Sequence, residues 1–441
     1  MTRRHGYALL AALAAIVVLI SAAIYVGFAG DTSSRDTLHP APRTPAGSAD
    51  PASSGTWVGT WSASPAGAEP DSQAGYPGKS IRNVVHTSFG GTRARVTLSN
   101  LYGQQPLTLT HASIAVAEGP DTPAAARGTL RRLTFGGNHS VVIPPGRQAL
   151  SDEVRLRVPA DADLLVSTYA PAPSGPVTYH RHARQFSYMA PGDRVADGPG
   201  GSYIEQSPYW RYLTAVDVLT QDAKGAVVVI GDSLTDGVTS TVGANARWTD
   251  VLAARLRDEP GAPRYTVLNQ GISGNRILSD GPRRPGRPAD NPSGLSRFER
   301  DVLSRSGVRC VVIALGVNDI LRNPHRTDPG EITAGLREMT RQAHARGLRV
   351  VGATLMPFGG HRGHTPRLEA VRVAVNDEIR AGRVFDAYVD FDLALRDRYD
   401  PRRLRAEYDS GDHLHPSDAG YRRMGEALDP SLLKGTAPAE L

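Results

Sequence analysis

Four short polar segments carry residue types suited to nucleophilic chemistry at a carbonyl carbon. In Gly231-Asp232-Ser233-Leu234-Thr235-Asp236-Gly237, glycines bracket a serine, so the backbone can turn sharply and present a hydroxyl. In Asn269-Gln270-Gly271-Ile272-Ser273-Gly274-Asn275-Arg276, two glycines let backbone N–H groups face a ligand. Gly316-Val317-Asn318-Asp319 offers a side-chain amide to a developing oxyanion. In Asp412-His413-Leu414-His415-Pro416 an acid stands three residues before a histidine. That spacing lets the carboxylate hold Nδ1 while Nε2 faces a nucleophile. Each segment alone has an ordinary structural explanation. Ser233 could be a helix cap, Gly271 and Gly274 a turn, Asn318-Asp319 an Asx-turn, and His413 and His415 surface loop residues.

The elements between these segments change character along the chain. From Trp57 to about Asp217 the expected strands are short: Trp57–Ser62, Ile81–Ser88, Arg93–Ser99, Leu107–Val116, Ser140–Ile143, Val154–Val158 and Leu164–Tyr169. Gly, Pro and Asn clusters punctuate them, which predicts a β-sandwich-like domain over 56–217. From Ala226 apolar runs alternate with helical patterns. Val227–Ile230, Tyr265–Leu268, Cys310–Leu315, Leu348–Thr354 and Ala387–Val389 read as strands. Arg247–Arg257, Leu295–Ser304, Pro329–Arg346, Pro366–Ala381 and Asp418–Leu428 read as helices. Continuously apolar strands alternating with helices predict an α/β fold over 218–435, with a parallel sheet covered on both faces. The four segments follow strands of that sheet, and ligands bind at such carboxyl ends.

Taken together and in chain order, the segments resemble the conserved blocks of the SGNH, or GDSL-type, serine esterase superfamily. Gly231-Asp232-Ser233-Leu234 matches its namesake motif letter for letter, and Asp412 with His415 matches its acid-x-x-His pattern. The resemblance covers about Ala226 to Leu428. It implies a flavodoxin-like sheet of five parallel strands, with no metal and no cofactor. It implies a catalytic triad of Ser233, Asp412 and His415. It further implies an oxyanion hole formed by the N–H of Ser233, the N–H of Gly274 and the side chain of Asn318. Larger secreted members carry a β-rich module ahead of the catalytic domain.

The remaining composition narrows the classes. Of 441 residues, 50 are Lys or Arg and 44 Asp or Glu, and the arginines are scattered, so no nucleic-acid partner is expected. The single cysteine, Cys310, lies in an apolar run and reads as a buried thiol. Arg3 and Arg4 precede an apolar stretch at 7–29, the pattern of a signal peptide or signal anchor over 1–30. Residues 31–55 read as a flexible linker. The protein is expected to be extracellular, either secreted or anchored through 7–29 to the outer face of the cytoplasmic membrane. The rim segments Ser279–Pro292 and Phe358–Thr365 are polar, which points to short-acyl esters, such as those of carbohydrates. Trp57, Trp61, Trp210 and Tyr209 read as packing residues or, alternatively, as sugar platforms. An acyltransferase using the same triad, or a non-catalytic cell-surface binding protein, are the other classes compatible with these residues.

Overall fold

The computed structural model describes residues 55–436. The segments expected as signal, anchor and linker, 1–30 and most of 31–55, lie outside the described residues. Among the described residues no helix is long and apolar enough to cross a membrane.

From Thr56 to Thr220 the chain forms antiparallel sheets. In one, Leu213–Thr220 lies between Thr56–Ser62 and Gly91–Ser99, with Val154–Val158 beyond. In another, Asp163–Ala170 pairs on one side with Lys79–His86 and on the other with His111–Val116. Val58, Val96, Val216 and Val218 from the first sheet share one core with Ile81, Ile114, Leu164 and Val166 from the second. That shared core is the physical content of a sandwich. Trp61 and Trp210 belong to it and meet edge to face, centroids 4.9 Å apart.

Several strands here escaped the sequence pattern, among them Thr178–His180, Ser187–Pro191 and Leu213–Thr220. The last is buried at all eight positions, Asp217 included, so it shows no alternation of polar and apolar residues. Asp217 accepts hydrogen bonds from Arg95 Nε at 3.0 Å and Ser306 Oγ at 2.6 Å. The expected strand Leu107–Val116 is interrupted, as Leu107–Leu109 and His111–Val116.

Five parallel strands follow: β1 (Gly225–Gly231), β2 (Tyr265–Gly271), β3 (Val308–Ala314), β4 (Arg349–Ala353) and β5 (Ala387–Val389). Their spatial order is β2-β1-β3-β4-β5, all parallel, as in flavodoxin-like sheets. The order in which strands are added to the sheet reverses between β1 and β3, so the crevice beyond their carboxyl ends is the expected ligand site. Val227, Val228, Val229 and Ile230 are fully buried because helices cover both faces. Cys310 on β3 is likewise buried, and burial pushes its thiol up to about 12.

The helices begin where local chemistry says they should. Asp328 caps Pro329–His344 through Gly330 N, and Thr365 caps Pro366–Arg380 through Leu368 N. Each has proline in its first turn, where no N–H is needed. The expected helix at Leu295–Ser304 is a short α-helix, Gly294–Phe298, continued by a π-helical turn, Glu299–Leu303.

The sandwich and the parallel sheet pack as one compact unit. A Cβ on Gly59 would lie 2.7 Å from Leu268 of β2, so glycine permits that approach. Gly59 N donates to Ser306 O at 3.0 Å, Asn291 N to Ala66 O at 2.6 Å, and Tyr102 OH to Ala289 O at 3.0 Å.

Candidate active site

Ser233 opens a one-turn helix, Ser233–Asp236, directly after β1. Asp232 caps that turn, accepting from Leu234 N at 3.0 Å. The Ser233 hydroxyl lies 2.9 Å from Nε2 of His415, 182 residues away in the chain. The other ring nitrogen, Nδ1, lies 2.6 Å from Asp412 Oδ2. A carboxylate can only accept, so Nδ1 carries the hydrogen and Nε2 is left to receive a proton from Ser233.

Local hydrogen bonds explain why His415 reaches that place. Asp412 Oδ1 accepts from the N–H of Leu414 at 3.0 Å and of His415 at 2.8 Å, folding the segment around its own carboxylate. Ser417 then caps the helix Asp418–Ala427. Thr239 Oγ1 donates to Pro416 O at 2.7 Å, and Tyr421 OH to Val238 O at 2.5 Å. These contacts tie the histidine loop to the segment just after the serine. Burial alone would raise the Asp412 carboxyl, but hydrogen bonds from the His415 N–H and ring outweigh it and hold the group below the usual carboxylate range. His413 is separate: its ring Nδ1 lies 2.6 Å from Asp409 Oδ2.

Asn318 sits on the short helix Val317–Leu321 that follows β3, and is only 6% exposed. Its side-chain oxygen accepts from Arg322 Nε at 3.0 Å, and its amide nitrogen donates to Asp232 Oδ2 at 3.2 Å. The two contacts fix which way the amide faces. Gly274 follows β2 with φ +76°, the left-handed region, and a Cβ there would come within 2.5 Å of the Arg322 guanidinium. That backbone conformation favours glycine at 274, and the missing side chain leaves room for the Arg322 guanidinium. Ser233, Asn318, Asp412 and His415 thus cluster at the carboxyl ends of the strands, and Gly274 joins them through Arg322.

A buried polar network underlies this cluster. Arg297 is fully buried and donates to Gly231 O at 3.0 Å, Gln270 O at 2.7 Å and Ser64 Oγ at 2.9 Å, and to Asn275 Oδ1 through two nitrogens. One guanidinium thereby holds the ends of β1 and β2 and the loop carrying Gly274. Burial lowers its pKa to about 10, against the nearby Asp301 carboxylate. Asp319 accepts from Ile277 N at 2.8 Å and Leu278 N at 3.1 Å, fixing the far end of the same loop.

Asp236 Oδ2 accepts from Ser273 N at 2.8 Å, while Oδ1 lies 2.9 Å from Nε2 of His180, a residue of the sandwich. His180 Nδ1 in turn lies 2.8 Å from Ser64 O. The sandwich therefore braces both the serine turn and the glycine loop. Sequence reasoning missed Arg322, Arg297, Asp236 and His180. Only Arg322 left a signal, four residues after Asn318, where it caps the end of the short helix in an extended conformation.

Asp232 is buried beside Asn318, and burial pushes its carboxyl up to about 7 against hydrogen bonds from Leu234 N and Asn318. A cavity of about 650 Å³ opens over the cluster, lined by Asn318, Arg322, His361, Arg362, Asp412 and His415. Among the described residues no group of three or more His, Cys, Asp or Glu is arranged to hold a metal ion.

Residues 229–423 match the GDSL-like lipase/acylhydrolase family. The chain carries a GDSL-like hydrolase domain. It is accordingly a carboxylic ester hydrolase. No curated protein matches the chain. Solved structures similar to the GDSL-like domain include a G-D-S-L family lipolytic protein of Desulfitobacterium hafniense. It is 21% identical, with 47% of this chain and 99% of that one covered and a TM-score of 0.36. A carbohydrate acetylesterase of Sinorhizobium meliloti is 21% identical, covering 46% and 96%, with a TM-score of 0.35. An acetylxylan esterase of Geobacillus stearothermophilus is 20% identical, covering 46% and 92%, with a TM-score of 0.35.

Proposed function

We propose that the protein hydrolyses short-acyl esters of a polar carrier, such as an acetylated carbohydrate, through an acyl-enzyme on Ser233. The observation that carries this is the unbroken contact from Asp412 through His415 to the Ser233 hydroxyl, at 2.6 and 2.9 Å. Ser233 Oγ forms a bond to the ester carbonyl carbon while its proton passes to His415 Nε2. Asp412 holds the ring and stabilises its cation. The carbonyl oxygen becomes an oxyanion, held by the N–H groups of Ser233 and Gly274 and the Asn318 amide. On collapse the carbon–oxygen bond to the alcohol breaks, and His415 returns the proton to that alcohol. Water, deprotonated by His415, then releases the acid and frees Ser233.

Two features favour a short acyl group on a polar carrier. The cavity over the cluster is lined by charged and polar side chains, with Leu321 and Leu414 as its only large apolar members. Both rim segments, 279–292 and 358–365, are rich in Arg, His, Asp, Gly and Pro. Neither supplies the apolar wall that a long acyl chain needs. The test is a series of nitrophenyl esters from acetate to palmitate, read against Ser233→Ala. Activity should peak at two to four carbons and vanish in the variant; a peak on long chains would overturn the short-acyl assignment.

We further propose that the enzyme acts outside the cytoplasmic membrane, on the strength of Arg3, Arg4 and the apolar stretch at 7–29. Cell fractionation finding the full chain in the cytosol would overturn that.

A further inference from the structure

A second cavity, of about 660 Å³, lies between the sandwich and the hydrolase domain and shares Arg322 with the first. Gly274 also lines it, so it begins beside a proposed oxyanion donor. Its floor and walls come from both halves of the molecule: residues 66–73, Tyr179 and Arg181 of the sandwich, and residues 274–291 of the glycine loop and its extension.

Its charge is lopsided. Arg181, Arg276, Arg284, Arg287 and Arg322 line it, against the carboxylates of Glu69, Asp71 and Asp290. Glu69 is already spent, because Arg211 holds it through Nε at 2.6 Å and Nη2 at 2.5 Å. Asp290 is shared by two arginines at long range, 3.7 Å from Arg284 and 3.8 Å from Arg287. Arg276 donates only to backbone oxygens, of Asp280 at 2.9 Å and Asn323 at 3.3 Å. Arg322 donates to the neutral Asn318. The positive charge is therefore under-compensated inside a concave wall, where field lines from like charges concentrate. Guanidinium forks suit carboxylate and phosphate oxygens.

We infer that this cleft recognises a negative charge on the carrier of the ester. The inference rests on the esterase reading above and adds to it the class of carrier: an O-acylated sugar acid or polyol phosphate, not a neutral sugar. A carrier whose ester oxygen faces His415 passes Arg322 and places its anion among Arg181, Arg276 and Arg287. The sandwich then has a function in recognition, since it supplies one wall of the cleft and Arg181.

The experiment measures acetate released from two matched pairs at low and high salt. One pair is O-acetyl glucuronate against O-acetyl glucose; the other is acetylglycerol phosphate against acetylglycerol. The full chain and an Arg181→Gln/Arg276→Gln double variant are compared, with fluorophosphonate labelling as a check that the variant folds. The expected result is a preference of roughly tenfold or more in kcat/KM for at least one anionic member at low salt. It should shrink several-fold near 0.5 M salt, because screening shortens the reach of exposed charges to a few ångströms. In the double variant the anionic KM should rise and the preference approach unity. The pair that responds tells carboxylate from phosphate. Equal kcat/KM within both pairs, or a preference that survives in a variant that still labels, would overturn the inference while leaving the esterase reading intact. Absence of Ser233-dependent acetate from all four esters would overturn both.

Discussion

Replacing Asp232 with Asn should move stability and turnover in opposite directions at alkaline pH. The Asp232 carboxyl is buried and has its pKa raised from 3.8 to about 7. A carboxyl with a raised folded-state pKa stabilises the fold fully below its unfolded value, and that contribution is lost as pH rises through the folded value. Each decade is worth about 1.4 kcal/mol, so the full window from about pH 4 to pH 7 spans about 4 kcal/mol. Between pH 5 and pH 8 the wild-type chain should lose about 3 kcal/mol through this one group. Asp232→Asn removes the loss, because an amide does not titrate. It also sets two amide groups face to face. Asn318 now donates to Asp232 while accepting from Arg322. An amide at 232 has one acceptor oxygen, which Leu234 N takes, and offers Asn318 a donor in place of an acceptor. The clash costs about 1–3 kcal/mol and loosens Asn318, the proposed oxyanion donor. Urea denaturation of both proteins at pH 5 and pH 8 measures the linkage, and nitrophenyl acetate hydrolysis at pH 8 measures turnover. Relative to wild type the variant should gain about 3 kcal/mol of stability between pH 5 and pH 8, and it should turn over at least tenfold more slowly. A stability difference independent of pH, or an unchanged turnover number, would refute the reasoning.

Three other outcomes follow from the same geometry. Asn318→Ala should lower kcat by roughly 10²–10³ with little change in KM, because one of the three proposed oxyanion donors is lost only where charge develops; steady-state kinetics on nitrophenyl acetate checks it. Asp412→Asn should lower kcat by up to roughly 10⁴, since an amide can accept from or donate to Nδ1 and no longer fixes the tautomer; an intact near-UV spectrum would show that the fold is kept. Arg297→Met should cost about 3–5 kcal/mol in urea unfolding, because Gly231 O, Gln270 O and Asn275 lose their donor in a dry interior.

What the sequence disclosed follows from where each signal resides. Val227–Ile230 and Val311–Ile313 are continuous apolar runs because parallel strands here are covered on both faces, and that pattern identified the sheet. The acid-x-x-His segment was legible because its geometry is local: Asp412 binds the N–H groups two and three residues ahead of it. The supporting shell was not legible. Arg297 lies in a short helix, where an arginine ordinarily marks the solvent side, yet it is fully buried. His180 meets Asp236 across 56 residues, from a three-residue strand too short to show any period. Asp232 was visible as part of a motif, but its burial against Asn318 exists only once two strand ends come together. Chemistry carried on one turn of chain can be read directly, whereas the groups that brace it depend on tertiary contacts that spacing does not encode.

The most direct test of the catalytic assignment is covalent. The full chain is treated with a fluorophosphonate, digested and mapped by mass spectrometry, in parallel with Ser233→Ala and His415→Ala. One phosphonyl group per chain should be found on Ser233, lost in Ser233→Ala and formed far more slowly in His415→Ala. Modification at a different serine, or ester hydrolysis undiminished in Ser233→Ala, would contradict the account.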